Sequence, residues 1–266
     1  MVLLGKGIIT IMQKPKIRLI DIETSPIITE TWDLYPERIS YDCIRQDWRI
    51  ICAAWKDLDS DTVHSISPLS RKNPNREDVL DDWYVVNELH RVISDSDIIV
   101  AHNGDRFDFP KINTRAIFHG MKPIRPNASV DTLKIAKRHF KFTSNRLDYL
   151  GKFLGAGEKI KVDRATWSRA LDGDRSAIRE LAEYNKQDVR LLESVYNILR
   201  PFHTNHPSLS VISATPDACP KCGAQGHMVK EGWNYTKLGK RQQYSCGVCG
   251  AWSSGPNVRV KEVELR

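Results

Sequence analysis

Apolar positions follow two different periods along the first two hundred residues, and the change of period marks out the elements. In "IRLIDIET" (17–24), Ile17, Leu19, Asp21 and Glu23 fall on one side and Arg18, Ile20 and Ile22 on the other, the two-residue period of a strand. "IICAAWKDL" (50–58) and "TVHSISP" (62–68) read as two further strands, close enough to be antiparallel neighbours. "VVNELHRVIS" (85–94) switches to helical spacing, and "DIIVAHNG" (97–104) is a short β-branched run of buried-strand type. "FPKINTRAIFHG" (109–120) predicts a helix with Pro110 in its first turn and Gly120 beyond its end. "VDTLKIAKRHF", "NRLDYLGKFLG" and the long segment 176–199 are also helical in pattern. Strands first, then strands mixed with helices, predict an α/β domain with a mixed sheet flanked by helices. Residues 40–75 carry no recognisable motif.

The pattern breaks at "HTNHPSLSVISATPD", which is polar and bears proline and serine. The expected organisation is an N-terminal extension over 1–15, a main domain over 16–203, a linker over 204–216 and a small module over 217–266. Composition adds little to this: 41% hydrophobic and 27% charged residues are ordinary for a globular protein. No apolar run is long enough to span a bilayer, and "MVLLGKGIITIM" lacks a small-residue cleavage site, so a cytoplasmic protein without membrane attachment is expected. The formal charge of +7 is compatible with a polyanionic partner without demonstrating one.

The six cysteines change the picture more. Cys43 and Cys52 are isolated, whereas "CPKC" (219–222) and "CGVC" (246–249) are each followed by glycine. Two such knuckles can deliver Cys219, Cys222, Cys246 and Cys249 to one tetrahedral Zn²⁺, a closed and therefore structural site. A module this small needs the metal in order to fold. Its eight basic residues stand against four acidic ones, and zinc with four thiolates removes two charges from that surplus. Trp233, Tyr235, Tyr244 and Trp252, beside Lys237, Lys240 and Arg241, serve either base stacking or the module's own core.

Asp21 and Glu23 would lie about 7 Å apart on one side of a strand that is apolar on both faces. Two carboxylates that close raise each other's pKa unless a cation accompanies them, which makes them suitable oxygen ligands for Mg²⁺ or Mn²⁺. In "VAHNGDRFDFP" (100–110), Asn103 leaves a buried strand and Asp108 precedes a helix. A turn residue and an N-cap account for these two equally well. In "LAEYNKQDVRLLESV" (181–195), Leu181, Tyr184, Asp188, Leu191 and Val195 form one stripe at three-and-four spacing. An acid inside such a stripe needs a partner.

Taken in order, "DIE", "NGDRFD" and "YNKQD" resemble the three motifs of the DEDD superfamily of 3′–5′ exonucleases, in the branch with a tyrosine in the third motif (DEDDy). The stretch between the second and third motifs is similar to the proofreading exonuclease domains of family B DNA polymerases. The resemblance covers roughly residues 16–200 and implies a ribonuclease H-like mixed five-stranded sheet flanked by helices. It implies that Asp21, Glu23, Asp108 and Asp188 hold two Mg²⁺ or Mn²⁺ ions and that Tyr184 orients the attacking water. Thr24 would lie near the terminal nucleotide, and Asn103 would position the substrate strand. His102 either touches substrate or is a hydrogen-bonded structural histidine. The C-terminal segment resembles the zinc ribbons of transposase- and phage-encoded nucleic-acid proteins.

The expected activity is metal-dependent 3′–5′ exonucleolytic hydrolysis by a two-metal mechanism, with DNA favoured over RNA. The ribbon would engage nucleic acid or a partner protein of replication or repair. A nuclease-like binding module with weak or no catalysis, and a processing ribonuclease, are the alternatives. No polymerase-like segment follows residue 203, so proofreading within this chain is not expected.

Overall fold

A computed structural model describes residues 14–237 and 239–258. The expected extension over 1–15 lies almost wholly outside them. Lys16–Ile198 form one compact unit, and the chain from Leu199 onward belongs to a second.

The first unit is built on a five-stranded mixed sheet. Its strands are β1 (Ile17–Thr24), β4 (Ile50–Asp57), β5 (His64–Ile66), β6 (Ile98–Ala101) and β7 (Ser129–Asp131), in the order β5-β4-β1-β6-β7. β4 runs antiparallel to both β1 and β5, whereas β6 is parallel to β1 and β7. A separate two-stranded ribbon, β2 (Ile28–Thr29) with β3 (Ile44–Gln46), lies between β1 and β4 in sequence. The loop it carries exposes Trp32, Leu34 and Tyr35 almost fully. Residues 40–75, without a legible motif, therefore contribute β3, β4 and β5.

Each face of the sheet is covered by helices. Ile20, Ile22, Ala53 and Trp55 pack with Val85, Val86 and Leu89 of α1 (Trp83–Ser94) and Ile112 and Ala116 of α2 (Asp108–Phe118). On the opposite face, Cys52 packs with Ala170 of α5 (Arg164–Leu171) and with Ala177, Ile178 and Leu181 of α6 (Arg175–Leu199). The register pairs Leu19 with Lys56, Asp21 with Ala54 and Glu23 with Cys52. These six side chains share that second face, and Lys56 forms an ion pair with Glu193 of α6. Helices α3 (Thr132–His139) and α4 (Leu147–Phe153) complete the unit. The sequence pattern extends the α3 helix back through "VD", but Val130 and Asp131 form strand β7 and Asp131 caps α3 by accepting from the Leu133 and Lys134 amides.

One buried acid ties the first face together. Asp82 has no exposed surface and accepts from Arg115 Nε and Nη2, His119 Nε2 and the Ile50 amide, joining the start of α1 to α2 and β4.

The second unit contains α7 (Leu209–Ile212) and a three-stranded antiparallel sheet, β8 (Met228–Thr236), β9 (Gly239–Cys246) and β10 (Trp252–Val258), in the order β10-β9-β8. Residues 204–216, expected as a linker, are instead folded onto the first cysteine knuckle. The Leu209 amide donates to the Pro220 carbonyl, Lys221 Nζ to the Thr204 carbonyl, and His206 is buried. Leu209, buried beside Gly223 of the knuckle, supplies packing that the polar composition of this stretch disguises. Among the described residues, no helix is long and apolar enough to cross a membrane.

Asp82→Ala should destabilise the 16–198 unit by about 3–5 kcal/mol, because it strands the Arg115 guanidinium in the interior. Urea unfolding of the full chain measures this. A loss below about 1 kcal/mol would mean that solvent takes over the carboxylate's role.

Candidate metal centres

Two groups of side chains have the geometry of metal sites. The first forms where β1 meets α6. Ligand oxygens of Asp21, Glu23 and Asp188 all lie within 4.8 Å of one another. β1 presents its two acids on the α6 side, and the ladder to β4 shifts register between Glu23 and Thr24, so regular pairing ends at the second acid. Ala54 is the β4 residue opposite Asp21. From α6 the inward stripe delivers Leu181, Asp188, Leu191 and Val195 as buried residues, with Tyr184 partly buried at its edge.

Asp108 stands beside this group without belonging to the 4.8 Å cluster. It occupies the first position of α2, after Phe107 at the N-cap, so the N-cap account of this residue fails. Its Oδ1 and that of Asp188 are buried oxygens with no hydrogen-bond partner. Orphaned carboxylate oxygens of this kind, facing a cluster of like charge, fit a hard cation.

Electrostatics point the same way. Burial, and then the charges of Asp108, Glu23 and Asp188, push the Asp21 carboxyl well above the usual carboxylate range. Burial followed by Asp188 raises Glu23 to about 8, and burial raises Asp108 to about 7 against the pull of backbone amides. Asp188 is raised by burial as well, despite an ion pair with Lys159 Nζ at 2.5 Å.

Lys159 and Asn185 are the residues that sequence reasoning missed. Asn185, fully buried one residue after Tyr184, donates from Nδ2 to Asp21 Oδ2 at 2.6 Å. Burial works against the Lys159 charge, but Asp188 more than offsets it and holds the ammonium above its ordinary pKa. Its Nζ also lies 3.3 Å from the Tyr184 hydroxyl. Burial, then Asp188, moves that phenol up to about 12, and Trp167 of α5 packs edge-on against its ring.

The remaining candidates, His102, Asn103 and Thr24, lie at the ends of β6 and β1. Both nitrogens of His102 are engaged, Nδ1 facing Thr132 Oγ1 at 2.9 Å and Nε2 donating to the Asn145 carbonyl at 3.0 Å. Burial drops its pKa to about 4, so the ring is neutral. Asn103 adopts the left-handed conformation with φ +68°, and its amide donates to Asp131 Oδ1, while its carbonyl accepts from Arg106 and Phe107. It is a turn residue at the mouth of β6. Thr24 follows Glu23 at the register shift and is partly exposed. Asp81, Asp82 and His119 also come within metal-ligand range, but Arg115 and the Ile50 amide already saturate Asp82.

The second group is Cys219, Cys222, Cys246 and Cys249. The two knuckles repeat one hydrogen-bond pattern. Cys219 and Cys246 donate from their amides to Ala224 and Ala251, and accept at their carbonyls from Gly223 and Gly250. Both glycines have positive φ, +77° and +72°, which closes each turn behind its sulfurs. The Sγ atoms of Cys219 and Cys249, and of Cys222 and Cys246, are 3.8 Å apart. A tetrahedron with Zn–S bonds of about 2.3 Å has edges of about 3.8 Å, so the thiols fit zinc. Register places Lys230, Trp233, Tyr235, Lys240 and Tyr244 on one side of the three-stranded sheet. Trp233 and Tyr235 are exposed and Lys240 lies over the Trp233 ring, so these two aromatics do not form the module's core.

A family model described as RNase_H superfamily (RNase_H_2) matches residues 45–200. DNA polymerase III PolC-type from Ureaplasma parvum serovar 3 is 30% identical over 182 residues, 64% of this chain. The chain spans only 11% of that relative's length. The family B DNA polymerase of the hyperthermophilic archaeon Pyrobaculum calidifontis is a similar solved structure, with a TM-score of 0.49 and 16% identity over 85% of this chain and 32% of that one.

In chelator, the raised carboxyls bind protons in the folded state that the unfolded chain has released. Stability of the 16–198 unit should therefore fall as pH rises from about 4.5 to about 8, and added Mg²⁺ should flatten that slope by replacing the protons. Asp21→Asn should raise the melting temperature in chelator and abolish the metal-dependent increase. Thermal scans across this range, with and without metal, test both; a metal-independent profile would refute the cation site.

Proposed function

The chain belongs to the RNase_H superfamily, and on that premise we propose that its larger unit is a metal-dependent 3′–5′ exonuclease acting on nucleic acid. The observation that carries this reading is the convergence of Asp21, Glu23 and Asp188 within 4.8 Å, with Tyr184 one helical turn before Asp188. A curated relative named as a DNA polymerase favours DNA as substrate.

Asp21, Glu23 and Asp188 would hold one Mg²⁺ or Mn²⁺, and Asp21 with Asp108 a second. Such ions, when bound, activate water at neutral pH and stabilise charge on the attacking and leaving oxygens of a phosphodiester. The chain's own groups do the positioning. Tyr184, with its pKa moved up to about 12, keeps its proton at neutral pH and can direct the hydroxyl towards a water on the scissile phosphate. Lys159 anchors the phenol oxygen and offsets one negative charge of the acids. Asn185 fixes the Asp21 carboxylate through its amide, so that its oxygens keep one orientation toward an ion they would hold. Thr24, just past Glu23, is the residue of the first motif left to contact the terminal nucleotide.

The Lys159–Asp188 pair also favours a second reading, a nucleic-acid-binding module without catalysis, since an ammonium already compensates the cluster. The four-cysteine module would hold structural Zn²⁺ and present Lys230, Trp233, Tyr235, Lys240 and Tyr244 to bases and phosphates, or to a replication or repair protein.

Hydrolysis of 5′-labelled single-stranded DNA, duplex DNA and RNA in Mg²⁺ or Mn²⁺ separates the two readings. The exonuclease yields a descending ladder that Asp21→Ala reduces by about a hundredfold or more. Metal-independent binding without a ladder would leave only the second. Cys219→Ser should unfold the zinc module while leaving most hydrolysis of short substrates; complete loss would make the module part of the hydrolytic unit.

A further inference from the structure

The parallel half of the sheet, β1, β6 and β7, sends all three strand ends to the same side of the molecule, where ligands of open α/β sheets collect. β1 ends there in Asp21 and Glu23. Beside it, past the ends of β6 and β7, lies a cavity of about 310 Å³ lined by Asn103, Asp131, Arg106, Lys134, Lys137 and Arg138. Asn103 and Asp131 form its floor through the Asn103 amide bond to the Asp131 carboxylate. Asp131 acts electrostatically on Asp108, and Lys137 on His102, so this cavity adjoins the acidic site.

The rim of the cavity is cationic for a reason visible in α3. Between Asp131 and Asp148 the chain carries five basic residues, Lys134, Lys137, Arg138, Lys141 and Arg146, and no acid. Lys134 is paired with Asp105, but no carboxylate pairs with Arg106, Lys137 or Arg138 among the described residues, and all three are exposed. Elsewhere on this surface some cations are met by acids, as Lys152 is by Asp148 and Arg91 by Glu88, but these three converge on one concave surface with no acid pairing them. Three unmet cations around a concave surface suit a chain of phosphates rather than a single carboxylate.

We propose that this cavity binds the sugar–phosphate backbone of a single strand, with Arg106, Lys137 and Arg138 contacting phosphates on the 5′ side of the bond that is hydrolysed. The assignment rests on the exonuclease reading for its direction, but its binding component stands alone. It makes the motif-two turn a junction, with the acids on one side and the backbone track on the other. Affinity should then depend on strand length and salt, while the chemical step should not depend on these three residues.

The test is the triple variant Arg106→Gln, Lys137→Gln, Arg138→Gln in the full chain. Fluorescence anisotropy of a labelled ten-nucleotide strand, DNA and RNA in separate arms, is measured in chelator over a range of NaCl. The unaltered chain should show a steep dependence of log affinity on log salt. The variant should reduce that slope by about two and weaken binding about tenfold or more. Hydrolysis of the p-nitrophenyl ester of thymidine 5′-monophosphate, which lacks upstream phosphates, should be unchanged, while KM for the long strand rises and kcat holds. Arg106→Lys with Arg138→Lys should retain binding, and Lys122→Gln with Arg125→Gln, elsewhere on the surface, should leave the slope intact. An unchanged slope and KM in the triple variant overturn the proposal. Should the unaltered chain hydrolyse nothing, the exonuclease reading falls and the anisotropy slope alone decides the track.

Discussion

Like charges gathered where water is scarce are the constraint around which the larger unit is organised. Asp21, Glu23 and Asp188 repel one another within 4.8 Å, and Asp108 adds a fourth acid next to them. Folding can tolerate this only if the elements carrying the acids are held by something stronger. β1 is therefore central, paired on both sides, with apolar residues packed on each face. α6 is the longest helix among the described residues, and its packing spreads over Ile178, Leu181, Val189, Leu192 and Val195, far beyond the turn that bears Asp188. Lys56 and Glu193 fasten the same two layers one turn further along the helix.

Within that frame the protein has its own partial compensation. Lys159 meets Asp188 and Tyr184, and Asn185 meets Asp21, so the clustered acids have polar partners of their own. The same Asn185 amide also serves Glu23, yet burial and Asp188 outweigh it and hold that carboxyl at about 8. The cluster is thus uneven: Asp188 is ion-paired, whereas Asp21 and Glu23 share one neutral amide. That unevenness distinguishes a pre-shaped binding site from a surface patch of acids, where every charge stays hydrated.

Much of this was legible in the residues. Strand alternation placed Asp21 and Glu23 on one side, and three-and-four spacing placed Tyr184 and Asp188 on the inward stripe, because both periods are properties of the backbone. The cysteine knuckles were legible for the same reason, their spacing being set by a turn. What escaped has physical causes. β7 is three residues long and runs straight into α3, so its period never declares itself. Lys159 lies on an irregular segment between helices, where no spacing predicts a direction. Asn185 shares a helix with Asp188 but not its exact stripe, and only the close approach of β1 brings its amide to Asp21. His102 sits in the expected motif, yet both its ring nitrogens are taken by Thr132 and Asn145, residues far along the chain that no local spacing connects to it.

The short strand that hid from the sequence has one more consequence. β5 and β7, the two outer strands of the large sheet, are three residues each, and β7 is turned at once into a helix by its own terminal aspartate. An outer strand of that length offers too few free amides and carbonyls to template another chain. A protein that keeps a five-stranded sheet open, with neither rim closed into a barrel, is thereby guarded against growing edge to edge into aggregates.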